Sequence, residues 1–118
     1  MERPGNPVIY FGRAGGYNAP MECWHLYVVR TSDGSLYAGI ATDVERRFRE
    51  HLAQGSRTPG YLRAHKPREL TFFQAIGGRG LALRVEYRFK RLSKEAKERI
   101  VGSGRMSFDQ ETGEITVP

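Results

Sequence analysis

Hydrophobic residues between positions 24 and 101 form short blocks, and the spacing in each block is typical of one secondary structure. Residues 24–30 (WHLYVVR) and 35–40 (SLYAGI) are rich in aromatic and β-branched side chains, which predicts two β-strands. Residues 31–34 (TSDG) between them have the composition of a tight turn. The pattern therefore opens with a predicted β-hairpin.

The next block has a helical period. Thr42 and Glu45 have the spacing of a capping box, in which each side chain satisfies a backbone N–H at the start of a helix. Gly55 is the expected C-terminal stop. The buried stripe of this helix is predicted from apolar residues that recur every four positions, namely Val44, Phe48 and Leu52.

The remaining blocks complete an α+β pattern. A basic loop is predicted at residues 56–68, a third strand at 69–76 and a second helix at 81–92. Ser93 is the expected N-cap of a third helix, residues 94–101, which Gly102 would end. The predicted order is ββαβαα, a small three-stranded antiparallel sheet flanked by helices.

Three regions follow from this pattern. Residues 1–22 contain repeated Pro, Gly and Asn and are expected to form an N-terminal extension, with one short extended piece at 8–11. Residues 23–101 are the predicted domain. Residues 102–118 form a tail that either folds as a small hairpin around residues 111–113 or stays mobile.

Composition narrows the class of protein. The 118 residues are 39% hydrophobic and 27% charged, which is typical of a globular chain. We expect no secretory signal and no membrane span, because no apolar run approaches the ~20 residues that a span needs. Cys23 is the only cysteine, so an intramolecular disulfide is excluded and a cysteine zinc site is not expected. These features favour the cytoplasm.

Positive charge is concentrated in the predicted domain. Residues 23–101 contain 16 Lys and Arg against 8 Asp and Glu, whereas the whole chain has a net charge of +6. A basic domain suits a polyanion such as nucleic acid, although a high pI also occurs in proteins that do not bind one.

The length of the hairpin loop decides whether Tyr27 and Tyr37 lie on the same face of the sheet. A two-residue turn would place them on opposite faces. A three-residue loop ending in Gly34 pairs Tyr27 with Gly39, so both tyrosines share a face and the missing side chain of Gly39 leaves space beside Tyr27. The alternative is that two strand tyrosines are ordinary packing residues.

Charged side chains are predicted at the margins of both main helices. Arg47 and His51 are four residues apart and lie beside the apolar stripe of the first helix, where a phosphate or a nearby carboxylate would satisfy the arginine. Glu86, the only carboxylate of the second helix, borders its buried face. Either Mg²⁺ or one of the many arginines would satisfy that carboxylate.

Together these residues resemble the GIY-YIG nuclease superfamily, in particular its small single-domain bacterial members. His25-Leu26-Tyr27 matches the first motif and Tyr37-Ala38-Gly39 the second. Arg47, His51 and Glu86 match the functional positions of the two helices. His25, Leu26 and Ala38 depart from the usual motif residues, at positions that contribute strand packing.

The resemblance implies a metal-dependent endonuclease that hydrolyses phosphodiester bonds in nucleic acid. We expect this nucleic acid to be DNA rather than RNA. It implies catalytic roles for Tyr27, Tyr37, Arg47, His51 and Glu86, and one divalent ion, Mg²⁺ or Mn²⁺, held by Glu86. The basic residues expected to follow the nucleic-acid backbone are Arg63, Lys66 and Arg68.

Two other functions fit the same residues. One is a nucleic-acid-binding module that keeps the fold with little or no catalysis. The other is a protein–protein adaptor that uses the basic face. The short terminal segments also leave room for a protein partner that supplies specificity.

Overall fold

The computed structural model describes residues 22–118. The predicted extension at residues 1–22, with its extended piece at 8–11, therefore lies outside the described residues apart from Glu22. The secondary structure runs in the order β1 (Trp24–Thr31), β2 (Leu36–Ala41), α1 (Val44–Ala53), α2 (Gly60–Ala64), β3 (Pro67–Gly77), α3 (Arg79–Lys90), α4 (Lys94–Ser103), β4 (Ser107–Phe108) and β5 (Ile115–Thr116).

The main sheet is antiparallel with strand order β2-β1-β3, so β1 is its central strand. Because side chains alternate along a strand, β1 contributes Leu26 and Val28 to one face and Tyr27 and Val29 to the other. All four are buried, since helices cover both faces of the sheet. The α+β class and the three-stranded antiparallel sheet predicted from the sequence are confirmed.

Each face has its own core. Helices α3 and α4 bury Val85, Phe89 and Ile100 against the face of Leu26. Helices α1 and α2 bury Val44 and Leu62 against the face of Tyr27. None of the helices described for residues 22–118 is both long enough and apolar enough to cross a membrane.

The β1–β2 loop has three residues, as one of the two predicted alternatives required. The Thr31 N–H donates to the Ser35 carbonyl at 3.0 Å, and Gly34 has the left-handed φ of +88° that closes such a loop. The register pairs Tyr27 with Gly39. Tyr27 and Tyr37 therefore lie on the same face of the sheet.

Helix α1 differs from its prediction at both ends. Its N-cap is Asp43, whose carboxylate accepts from the Arg46 N–H at 3.1 Å, so the predicted Thr42 capping box is wrong. Its C-cap is Gln54, with φ +57°, so Gly55 is not the stop. Asp43 competes well for the cap because its charge also favours the positive end of the helix dipole.

The buried stripe of α1 is also different, because Leu52 is 48% exposed and His51 is fully buried. A four-residue step drifts by about 40° around a helix, so Leu52 lies roughly 80° from Val44. His51 lies only about 20° from Val44 on the other side. The histidine thus takes the inward position that the apolar pattern assigned to the leucine.

The segments after α1 contain more regular structure than predicted. The short helix α2 interrupts the predicted basic loop, and α4 continues to a left-handed C-cap at Gly104 instead of ending at Gly102. The tail forms the β4–β5 hairpin. Its attachment to the domain includes two hydrogen bonds of 2.8 Å between the Gln74 amide and the backbone of Met106.

Candidate active site

A buried hydrogen bond joins strand β1 to helix α1. The Tyr27 Oη and His51 Nε2 atoms are 2.9 Å apart, with Tyr27 2% exposed and His51 fully buried. A buried polar pair is tolerated when each group satisfies the other, whereas the loss of one partner leaves an unpaired group. This bond therefore fixes both side chains relative to the sheet.

Gly39 makes room for the phenol. A Cβ built on Gly39 would lie 2.5 Å from Tyr27 Oη and 2.7 Å from its Cζ, which is far inside normal contact. The space predicted beside Tyr27 is thus filled by the end of the tyrosine ring itself. Any side chain at position 39 would push Tyr27 away from His51.

Tyr37 contributes the next aromatic ring. Its centroid is 5.9 Å from that of His51, with the two rings nearly perpendicular at 81°. His51 therefore contacts both tyrosines, because the Tyr27 ring centroid is 5.8 Å from that of His51. Tyr27, Tyr37 and His51 therefore form one cluster.

Arg47 lies at the margin of that cluster. Its guanidinium donates to Glu50 at 2.9 Å, which is the carboxylate partner that the sequence left open, and its side chain is 28% exposed. It also faces a cavity of about 220 Å³. The other charged residues that line this cavity are Asp43, Arg46, Glu50 and Arg57.

Burial and charge keep both members of the buried pair neutral. Burial raises the pKa of the Tyr27 phenol, and Tyr37 raises it further, while the charge and hydrogen bonding of Arg47 oppose this shift only in part. Burial and the positive charge of Arg47 lower the pKa of His51 to about 4. At neutral pH the site therefore holds a phenol and a neutral imidazole.

We assign the direction of the Tyr27–His51 hydrogen bond from the positive charge of the neighbouring Arg47. Arg47 has only donors, so it can approach the phenol only at an oxygen lone pair. The phenolic proton then needs an acceptor, and the His51 Nε2 atom is the one within hydrogen-bond distance. The proton of neutral His51 is accordingly assigned to Nδ1, which has no hydrogen-bond partner among the described residues.

Glu86 approaches the cluster from α3. Its carboxylate is 3.1 Å from Lys90 Nζ, and its side chain is 19% exposed. The cation paired with Glu86 is thus Lys90 of the same helix, whereas the sequence predicted an arginine as the alternative to a metal ion. Glu86 is close enough to Tyr27 for its negative charge to raise the tyrosine pKa. Within residues 22–118, no group of three or more His, Cys, Asp or Glu forms a ready metal cluster.

The three basic residues predicted to contact the nucleic-acid backbone differ in their surroundings. Arg63 donates to the carbonyls of Gly55 at 2.7 Å and Thr58 at 3.3 Å, so it braces the loop between α1 and α2. Lys66 and Arg68 are exposed. Their nucleic-acid contacts stay a prediction.

Two aromatic residues beside the cluster received no role from the sequence pattern. Tyr61 stacks on His65 with a centroid distance of 4.2 Å, and it also stacks against Tyr37 at 6.0 Å. Tyr61 and His65 are four residues apart, which is the spacing of one helix face, but the sequence pattern did not predict α2. The apolar signal of α2 is weak because Leu62 is its only buried residue.

The first testable consequence concerns Gly39. Gly39→Ala is expected to destabilise the domain by about 1–3 kcal/mol, because the new methyl group overlaps the buried Tyr27 ring. Urea unfolding measures this loss. Gly55→Ala is the matched control, since a Cβ at Gly55 meets no atom within 4 Å. Equal stability of the two variants would contradict the described packing.

The second consequence concerns pH. In the unfolded chain His51 binds a proton below about pH 6.5, whereas in the folded protein it does so only near pH 4. Its contribution to stability is therefore lost as pH falls through this window. Between pH 7 and 5 the protein should lose about 2 kcal/mol more than the His51→Gln variant. Urea unfolding at both pH values measures the difference, and parallel losses would contradict the depressed pKa.

The comparisons with known proteins agree with this geometry. The chain is 48% identical over 84 residues to the UPF0213 protein YhbQ of Escherichia coli, covering 71% of this chain and 82% of that protein. It is 43% identical over 98 residues to YhbQ of Salmonella paratyphi B, covering 83% and 95%. No solved structure matches. The profile of the GIY-YIG catalytic domain matches residues 23–99. The chain therefore belongs to the GIY-YIG family, whose catalytic domain is of the nuclease type.

Proposed function

We propose that the protein is an endonuclease that hydrolyses phosphodiester bonds in DNA with the help of one divalent metal ion. The observation that carries this proposal is the buried Tyr27–His51 hydrogen bond, at 2.9 Å, with Arg47 and Glu86 close enough to shift the tyrosine pKa. Together these residues support a site with a proton acceptor, a cation for phosphate and a carboxylate for metal in a nuclease-type domain.

Tyr27 and His51 would activate the attacking water together. As the water oxygen bonds to phosphorus, the Tyr27 oxygen takes a proton from the water, and the phenolic proton passes to His51 Nε2. Tyr27 is neutral before and after the step, and His51 becomes an imidazolium. This relay avoids a free tyrosinate, which the raised pKa of Tyr27 disfavours.

Substrate binding would make His51 a better base. The positive charge of Arg47 is one cause of the low histidine pKa. A bound phosphodiester carries a negative charge that offsets the charge of Arg47, so the pKa of His51 rises when substrate is present. The relay is thereby favoured in the complex with substrate.

Arg47 would hold the scissile phosphate. Its side chain is partly exposed toward the cavity that Arg46 and Arg57 also line. A guanidinium forms bidentate hydrogen bonds to phosphate oxygens and stabilises the negative charge that develops during hydrolysis. Glu50 would hold Arg47 in place through their 2.9 Å contact.

Glu86 would anchor the metal ion, Mg²⁺ or Mn²⁺. Mg²⁺ often takes one or two protein carboxylates and completes its shell with water and substrate oxygens, so a single carboxylate near the Tyr27 phenol is a fitting donor. Bound there, the ion would stabilise negative charge on the leaving oxygen. Lys90 would have to release Glu86, and its half-exposed ammonium can turn to solvent.

The basic domain supports a nucleic-acid partner, and exposed Lys66 and Arg68 would follow its backbone. We assign the activity to the cytoplasm. A protein partner would supply target specificity. The rival function is binding to nucleic acid without cleavage.

The test is cleavage of plasmid and single-stranded DNA with Mg²⁺ or Mn²⁺. Wild type should cut, and a chelator should stop it. Arg47→Ala is expected to lower kcat by about 100- to 1000-fold, because it removes a group that stabilises the developing charge. Glu86→Gln should abolish the response to metal, because an amide is a weak ligand for Mg²⁺.

Matched controls are available on helix α4, where Arg99 and Glu95 are exposed. Arg99→Ala and Glu95→Gln should keep wild-type activity. Cleavage by Arg47→Ala and Glu86→Gln at the wild-type rate would refute the site assignment. Metal-independent binding of DNA by wild type, with no cleavage of any substrate, would favour the rival function.

A further inference from the structure

A second cleft opens beside the candidate active site, between β2, α2, the C-terminal half of α3 and α4. Its volume is about 360 Å³, enough for a nucleobase. The residues that line it combine aromatic rings with lysines, and they are Leu36, Tyr37, Ala38, Tyr61, Phe89, Lys90 and Lys97. The proposed hydrolysis assigns no step to this cleft.

The aromatic wall of the cleft is exposed and well fixed. Tyr61 is 42% exposed, so burial in the core does not account for it. His65 stacks on one side of its ring at 4.2 Å, and His65 Nδ1 is in turn 2.7 Å from Asp33 at the β1–β2 loop. Asp33 also accepts hydrogen bonds from the Ser35 hydroxyl and N–H. These contacts hold the Tyr61 ring in place before any ligand arrives.

Two lysines, Lys90 and Lys97, also line the cleft. Lys90 Nζ lies 5.8 Å from the centroid of the Tyr37 ring. Lys97, a partly buried residue of α4, makes no salt bridge with any described residue. Rings that stack on a base, together with cations that face its phosphate, form the combination used to bind single-stranded nucleic acid.

The position of Tyr37 links the cleft to the site of hydrolysis. Its ring centroid lies 5.9 Å from that of His51 and 6.0 Å from that of Tyr61. Tyr37 thus lines the cleft and also contacts His51 of the candidate active site. A nucleotide bound there would be a close neighbour of the scissile phosphate.

We propose that this cleft binds an unpaired nucleobase of the substrate, with Tyr61 as the stacking platform and Lys97 on the adjacent phosphate. The inference rests on the proposed nuclease function and adds the substrate class, which is nucleic acid that is single-stranded next to the cut. Bases inside a duplex are covered on both faces by their neighbours, so Tyr61 can stack only on a base that has left the helix.

The experiment measures binding in a chelator, so that no cleavage is needed. The probe is a single-stranded oligonucleotide with one 2-aminopurine, whose fluorescence falls when the base stacks on an aromatic ring. Wild type should quench it, and Tyr61→Ala should bind at least about tenfold more weakly. Tyr61→Phe keeps the ring and should quench as wild type does. Lys97→Ala should weaken binding and reduce its dependence on salt.

Tyr87→Ala is the matched control, because Tyr87 is 63% exposed on α3 and does not line the cleft. It should bind as wild type does. The same oligonucleotide in a perfect duplex should show no quenching that depends on Tyr61. Equal binding by Tyr61→Ala and wild type would overturn the proposal, as would binding of an acidic peptide in preference to the oligonucleotide.

These outcomes separate the two proposals. Quenching that requires Tyr61, in a protein that cuts no substrate, supports the cleft and refutes the nuclease. Cleavage of duplex DNA that is unaffected by Tyr61→Ala, with no Tyr61-dependent quenching, supports the nuclease and refutes the cleft.

Discussion

The hydrogen bond between Tyr27 and His51 is the interaction on which the site depends. Both groups are removed from water, so each needs the other, and the strand and helix that carry them are held in one relative position. Gly39 is required because the phenol occupies the volume of its missing side chain. Arg47 and Glu86 act on the same phenol through their charges. Residues of β1, β2, α1 and α3 therefore meet around one buried hydrogen bond.

Much of this arrangement could be predicted from the sequence because strand geometry is restrictive. A side chain alternates faces with every residue, so the length of the β1–β2 loop alone determines that Tyr27 opposes Gly39. That loop requires a residue with a left-handed backbone at its last position. Gly34, which follows Asp33 in the sequence, meets this requirement. The positions of Arg47 beside the buried face of α1 and of Glu86 beside that of α3 could be predicted from helical periodicity in the same way.

The parts that could not be predicted depend on contacts between distant segments. His51 is buried because Tyr27 supplies its hydrogen bond, whereas hydrophobicity alone favoured Leu52 for that position. Helix α2 has five residues and one buried side chain, so it has too little periodicity to be recognised. The stack from Tyr37 through Tyr61 to His65 depends on where that helix lies. Sequence spacing indicated the candidate site residues, and tertiary packing determines what surrounds them.

The proposed chemistry depends on neutral His51, which accepts the hydrogen bond of the Tyr27 phenol at Nε2. Nitrogen-15 NMR of the histidine ring at pH 7 tests it directly, because the two tautomers give distinct ring nitrogen shifts. We expect a neutral ring with Nδ1 protonated and Nε2 without a proton, and a Tyr27→Phe variant that loses this preference. A ring protonated at Nε2, or an imidazolium at pH 7, would contradict it.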